Sequence, residues 1–229
     1  MKIYFVRHGH PDCKSGNLTE LGHKQAEMVA ERLKDCGVER IFASTMSRAR
    51  QTAEYTAKIL GLDITLCDFM REISWKSLDG GPIPENGHPW NLSSLRASMG
   101  ESLFIDDWQT QYPYCNSEVV ESVNKVSFGI DEWLLKHGYK REGDYYRVVG
   151  GNTDTTMAIF SHAGSSSAAL SHILNIPFPQ FCGAFCPDFT SVTVINLSNE
   201  LGRIIYPEVI LFNDARHISG LTSPMFFAN

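Results

Sequence analysis

Within its first third the chain alternates short apolar runs with helical stretches, and that alternation is the strongest limit on its fold. Ile3-Tyr4-Phe5-Val6 reads as a strand. Ala26, Val29, Ala30 and Leu33 then recur at i, i+3, i+4, i+7 on one face of a helix, with Thr19 placed to cap its start and Gly37 suited to the position past its end. A strand through Ile41–Ala43 follows, then a helix carrying Met46, Ala49, Ala53, Thr56, Ala57 and Leu60, closed by Gly61, then a short strand Ile64–Cys67. Strands joined by helices over short connections predict an α/β domain: a three-layer sandwich with a mostly parallel central sheet and helices on both faces.

Parallel strands bring their carboxyl ends to one edge, the place where open α/β sheets collect ligands. The first strand ends on Arg7-His8-Gly9. The run Thr155–Ser161 ends in the same way on His162-Ala163-Gly164, before a small-residue stretch, Ser165 to Leu170, that suits the first turns of a helix. The strand Arg40–Ala43 leads to Ser44 and, after a short turn, to Arg48. One such ending is what any polar strand terminus looks like. Three of them gather two histidines and two arginines, which points to an anionic ligand.

From about Leu78 to Asn116 the pattern gives way to turns and scattered aromatics, including His88, Trp90, Trp108 and Tyr114. An apolar stripe of Val119, Val123, Val126, Ile130, Trp133 and Leu134 then marks a helix whose first use is core packing. Tyr145–Val149 reads as one arm of a surface hairpin, while Thr190–Leu197 and Arg203–Leu211 complete the sheet as an adjacent pair of strands. The whole chain, 1–229, is thus expected to be a single domain with an insertion of about 78–150 forming a cap over the strand tips. His88, Trp90, Arg96, Trp108 and Tyr114 either line that cap or pack its own small core.

The formal net charge of -6 over 229 residues argues against nucleic acid and anionic membranes as partners of the surface at large, so functional basic groups must be gathered locally. The apolar run at the start is too short for a signal-peptide core, and no stretch approaches the roughly 20 apolar residues that span a bilayer. A cytoplasmic, reduced protein is expected. Cys13, Cys36, Cys67, Cys115, Cys182 and Cys186 lack the density of a disulfide scaffold, and Cys182 with Cys186 lacks the further paired ligands of a zinc site.

Arg7-His8-Gly9, the run Ser44-Thr45-Met46-Ser47-Arg48-Ala49-Arg50-Gln51-Thr52-Ala53, and Ser161-His162-Ala163-Gly164 together resemble the histidine phosphatase superfamily, in its phosphoglycerate mutase-like branch. Leu18–Ala26 is similar to that family's first helix, and Arg71-Glu72-Ile73 with Ser74 to Gly80 to its acidic motif. The resemblance implies that His8 is a nucleophile forming a transient phosphohistidine, that Arg7, Arg48, His162 and Ala163 hold the phosphoryl group, and that Glu72 is the general acid. It implies no metal and no cofactor, and a small phosphorylated substrate; a homodimer is left open. The chemistry is consistent: a neutral imidazole is a good nucleophile near neutral pH, and guanidinium forks suit the spread charge of a transferring phosphoryl.

Where that family has an acidic or amide residue after arginine-histidine-glycine, this chain has His10-Pro11-Asp12, and its loop up to Leu18 is shorter than in the mutases. His10 and Asn17 have no assigned role. The basic and aromatic segment by which glycolytic mutases hold their substrate has no counterpart between Leu78 and Asn116, which favours phosphomonoester hydrolysis over a mutase. Phosphoryl transfer of the mutase type and non-catalytic binding of a phospho-ligand are the alternatives.

Overall fold

A computed structural model describes residues 1–150 and 154–221. Its centre is a six-stranded sheet in the order β3-β2-β6-β1-β7-β9. The strands are β1 (Lys2–Arg7), β2 (Arg40–Ser44), β3 (Ile64–Cys67), β6 (Thr156–Ser161), β7 (Val192–Asn196) and β9 (Glu208–Asp214). β1 pairs with β6, β6 with β2 and β2 with β3, all parallel, while β7 runs against both of its neighbours. The mostly parallel sheet expected from the alternation of elements is therefore present.

Side chains along the strands alternate between two cores, as the pleat requires. Val6, Ile41, Ala43, Ala158 and Phe160 face α1 (Glu20–Leu33) and α2 (Ser47–Leu60). Ile3, Phe5, Phe42, Met157 and Ile159 face the larger core formed with α4 (Val119–Lys136), α5 (Ala163–Ile173) and α6 (Phe178–Ala184). The helix ends follow their sequence signals: the Thr19 side chain accepts from Gly22 N–H, and Gly61 takes the left-handed conformation at φ 66 and donates to Ala57 O.

Three features differ from the sequence expectation. Arg203–Leu211 is not one strand: Pro207 carries no N–H for a sheet ladder, so the chain is split into a short β8 (Ile204–Ile205) and the separate β9. β8 joins β4 (Tyr139–Glu142) and β5 (Tyr145–Val148) in a second, antiparallel sheet. That hairpin belongs to the far end of the central sheet, where His137 lies 3.1 Å from Arg40 at the start of β2. Residues 119–148 of the expected cap are thus a flanking helix and a base.

The third difference is α3 (Pro89–Ser98), which weak amphipathicity and a crowd of turn residues hid. It packs on α6, with Ser93 Oγ donating to Pro179 O at 2.8 Å and Trp90 Nε1 to Phe185 O at 3.3 Å. Trp108 stacks between Tyr114 and Phe178, and His88 sits between the rings of Trp75 and Trp90. Arg96 pairs with Glu101. Trp90, Trp108 and Tyr114 thus pack, though into the large core shared with α6 and not into a separate core of their own segment.

The loop after β1 is clamped to α1 by two glycines. A Cβ on Gly22 would lie 2.2 Å from His10 O, and one on Gly9 would lie 2.5 Å from Gly22 O. Alanine for glycine inside a helix ordinarily stabilises by about 1 kcal/mol. Here the opposite sign is expected: Gly22→Ala should lower stability by about 1–3 kcal/mol through overpacking against backbone, read as a lower urea midpoint at unchanged slope. A stabilised variant would contradict this account of the contact.

Candidate active site

The register of the central strands sets the site. Arg7 lies opposite Ser161 and Ala43 opposite Phe160, so Ser44 comes level with Ser161, and His8 and His162 emerge together one residue further on. His8 and His162 meet edge to face with ring centroids 5.0 Å apart. The His8 backbone is gripped from both sides, its N–H donating to Ser161 O at 2.9 Å and its carbonyl accepting from Thr190 N–H at 3.3 Å.

The tautomer of His8 follows from its partners. Nδ1 lies 2.7 Å from Gly9 O, and a carbonyl can only accept, so Nδ1 carries the hydrogen. Nε2 is left with its lone pair, towards which Arg48 Nε donates at 3.0 Å. Burial above all, then the Arg7 and Arg48 guanidiniums, hold the His8 pKa well below the ordinary histidine value of 6.5. The ring is neutral near pH 7 with a free nitrogen pair.

Arg48 stands in the first turn of α2, and Thr52 one turn on accepts from Gly9 N–H at 3.0 Å while donating to Arg48 O at 2.8 Å. The arginine and the histidine loop are thereby tied through one hydroxyl. Arg7 Nη1 donates to Pro187 O at 2.6 Å and its guanidinium lies over the Phe189 ring, 4.0 Å from the centroid. Thr190, the next residue, has φ 54 although its side chain is branched at Cβ, a strained conformation of the kind that clusters at functional sites.

His162 is fully buried at the start of α5, and Ala163 forms the first turn of that helix. Ser44 Oγ accepts from Met46 N–H at 3.2 Å and lies 2.8 Å from His162 Nε2. This hydrogen bond ties the ring to the end of β2. At the start of α5 the His162 side chain also caps the helix, accepting from the Ser165 N–H. Burial, followed by the neighbouring His8, Arg48 and Arg7, keeps the His162 pKa well below 6.5 as well.

Glu72 enters from the segment after β3. Its Oε1 accepts from Ile73 N–H and from Ser165 N–H in the first turn of α5, each at 3.1 Å. Burial raises the carboxyl pKa above 4.5, against the opposing pull of Arg48, Arg7 and the two N–H groups. Gly164 permits this approach, since a Cβ there would lie 2.5 Å from Glu72 Oε1. A carboxyl of raised pKa, an unprotonated imidazole nitrogen, two guanidiniums and a helix N-terminus thus surround one small space, an arrangement suited to an anion that exchanges its ester partner.

All six residues singled out in the sequence, Arg7, His8, Arg48, Glu72, His162 and Ala163, fall in this cluster. Asn17 and His10 lie at its margin: Asn17 Oδ1 accepts from Ser47 Oγ and from Gln51 Nε2, and His10 Nδ1 lies 3.0 Å from Thr19 Oγ1 with its ring edge-on to Phe189. His23, His137 and His172 lie apart, His172 paired with Asp131 at 2.8 Å, while His217 Nε2 lies 3.1 Å from Thr190 Oγ1. Sequence reasoning missed Thr52, Pro187, Phe189 and Thr190, and noted Ser44 only as a strand end. Among the described residues no three His, Cys, Asp or Glu side chains group as metal ligands, and no helix is long and apolar enough to cross a membrane.

The fold and the gathered groups define a class of phosphoryl-handling α/β proteins built around a strand-end histidine. Residues 3–207 match the histidine phosphatase superfamily (branch 1), and the chain belongs to that family. A probable phosphoglycerate mutase GpmB of Yersinia pestis (strain Pestoides F) is 26% identical over 151 residues, covering 60% of this chain and 70% of that protein. Among solved structures, a mycobacterial glucosyl-3-phosphoglycerate phosphatase superposes with a TM-score of 0.63 at 19% identity, over 93% of this chain and 98% of the other. A phosphoserine phosphatase of Entamoeba histolytica, in complex with phosphoserine, gives 0.61 at 20% identity over 95% and 98%. At these identities the two structures share the fold.

The Ser44 contact has a direct reading. Ser44→Ala, which frees the His162 ring, should weaken the binding of inorganic phosphate about tenfold, the scale of one lost hydrogen bond. Calorimetry showing unchanged phosphate affinity in that variant would overturn this reading of the contact.

Proposed function

We propose that the protein hydrolyses a small phosphomonoester through a phosphohistidine at His8. The observation that carries this reading is the unprotonated Nε2 of His8, fixed by the Gly9 carbonyl and set between the Arg7 and Arg48 guanidiniums. Nε2 attacks phosphorus in line as the P–O ester bond breaks, and the leaving alkoxide takes the proton of Glu72. Arg48 Nε, which donates to Nε2 in this structure, turns to a phosphoryl oxygen. Arg7, His162 and the N-terminus of α5 at Ala163 hold the others, so the cationic role falls to side chains and backbone.

Water then attacks the phosphohistidine, giving its proton to the Glu72 carboxylate. The N–P bond breaks, its electron pair returns to Nε2, and inorganic phosphate leaves. A mutase shares every one of these groups and differs in handing the phosphoryl back to a second hydroxyl. Hydrolysis is favoured because no basic and aromatic segment of the mutase kind stands between Leu78 and Asn116.

Replacing His8 with Ala should cut turnover of an aryl phosphate by about a thousandfold or more, and remove the acid-labile phosphoenzyme trapped by rapid quench in the unmutated protein. Retained turnover in that variant, or isomerisation outpacing phosphate release, would refute the proposal. Glu72→Gln should slow an alkyl phosphate by about 10²–10⁴-fold but an aryl phosphate far less, because a phenolate leaves without a proton.

The pH profile has a worked sign. His8 reacts when unprotonated, and its lowered pKa means that acidification inactivates only below 6.5. Glu72 acts when protonated, and its raised pKa keeps the acid form present above 4.5, to be lost as pH rises further. In kcat/KM for an alkyl phosphate the acid limb should lie below pH 6.5, and Glu72→Gln should flatten the alkaline limb.

A further inference from the structure

An open space of about 150 Å³ adjoins Glu72 and is lined by Arg71, Ser74, Ser122 and Lys125 among others. Its position matters because the group that protonates a leaving oxygen must touch that oxygen, so the rest of the alcohol extends from Glu72. Resting on the hydrolytic reading of the site, we infer that this space receives the leaving alcohol and that Arg71 selects one bearing a carboxylate.

The charges decide between the two cations. Lys125 Nζ is 2.7 Å from Asp68 Oδ2, so its charge is already matched. Arg71 is exposed and makes no salt bridge among the described residues; its Nη1 donates to the neutral Thr45 Oγ1 at 3.1 Å, and Thr45 in turn donates to Asp68. The nearby Glu118 carboxylate accepts from Ser74 Oγ, so Arg71 is the cation lining this space that has no ion-pair partner among the described residues. A carboxylate on the alcohol would supply that partner.

Geometry places Arg71 on the reacting side of this space. Thr45, which it holds, follows Ser44, the partner of His162, and Arg71 precedes Glu72 in the chain. Its field reaches Arg48 and His162, contributing to the lowered pKa of each. A guanidinium fork meets a carboxylate with two parallel hydrogen bonds, which a lysine at this position would not reproduce.

The test uses phosphonate isosteres, whose P–C bond cannot be hydrolysed, so its outcome does not depend on turnover. Calorimetry should show the full chain binding the isostere of phosphoserine about tenfold more tightly than that of phosphoethanolamine, which lacks only the carboxylate. Arg71→Gln should bring the ratio close to one. Arg71→Glu should invert it in favour of the ligand without a carboxylate, and Arg71→Lys should keep part of the preference. Equal binding of the two ligands by the unmutated protein, or a ratio unmoved by Arg71→Gln, would overturn the inference. Failure of the hydrolytic reading appears elsewhere, as absence of a phosphoenzyme at His8.

Discussion

Parallel, in-register pairing of β2, β6 and β1 is the constraint on which the rest of the structure depends. Each strand alone would end in an ordinary polar turn. Hydrogen-bonded side by side at the spacing of a sheet, about 4.8 Å, they bring His162 and His8 to the same height with Ser44 one residue below, and the imidazoles meet at 5.0 Å. The helices then add what strands cannot: α2 delivers Arg48 from its first turn, and α5 offers backbone N–H groups at its start. Sheet geometry sets the distances, and helix ends supply the charge.

Electrostatics give the site its reactivity. The chain is acidic overall, yet two guanidiniums and two imidazoles share one enclosed edge of the sheet. Adding two protons to such a cluster would be costly, so the histidines stay neutral, while burial raises the Glu72 pKa against the pull of the arginines. An anion between the arginines would relieve their repulsion. The same burial that would penalise a lone charge therefore keeps His8 unprotonated.

The sequence made legible those residues whose placement follows from local pattern. Arg7, His8 and His162 stand at ends of apolar runs, Arg48 at a helix start and Glu72 in a short motif, and each position needed only its own neighbourhood to be read. Thr52, Pro187, Phe189 and Thr190 needed more. Gly9 and Thr52 are 43 residues apart and Arg7 and Pro187 are 180 apart, so their contacts exist only once the sheet has closed. In the fold, α3 was hidden because its apolar residues follow its contact with α6 instead of one clean face. The split between β8 and β9 hinged on Pro207, whose missing N–H weighs more than the apolar run around it.

Gly164 shows how a distance can be encoded by something missing. The gap between Glu72 and the first turn of α5 is the width left when a residue has no side chain: a methyl group would already stand 2.5 Å from the carboxyl oxygen and 2.4 Å from Ile73 Cγ1. The carboxyl can therefore share the helix terminus, and the two cannot be spaced apart independently. Lengthening that position by one carbon would displace the carboxyl, Ile73 and the helix start at once. The site is thus shaped by an atom it does not contain.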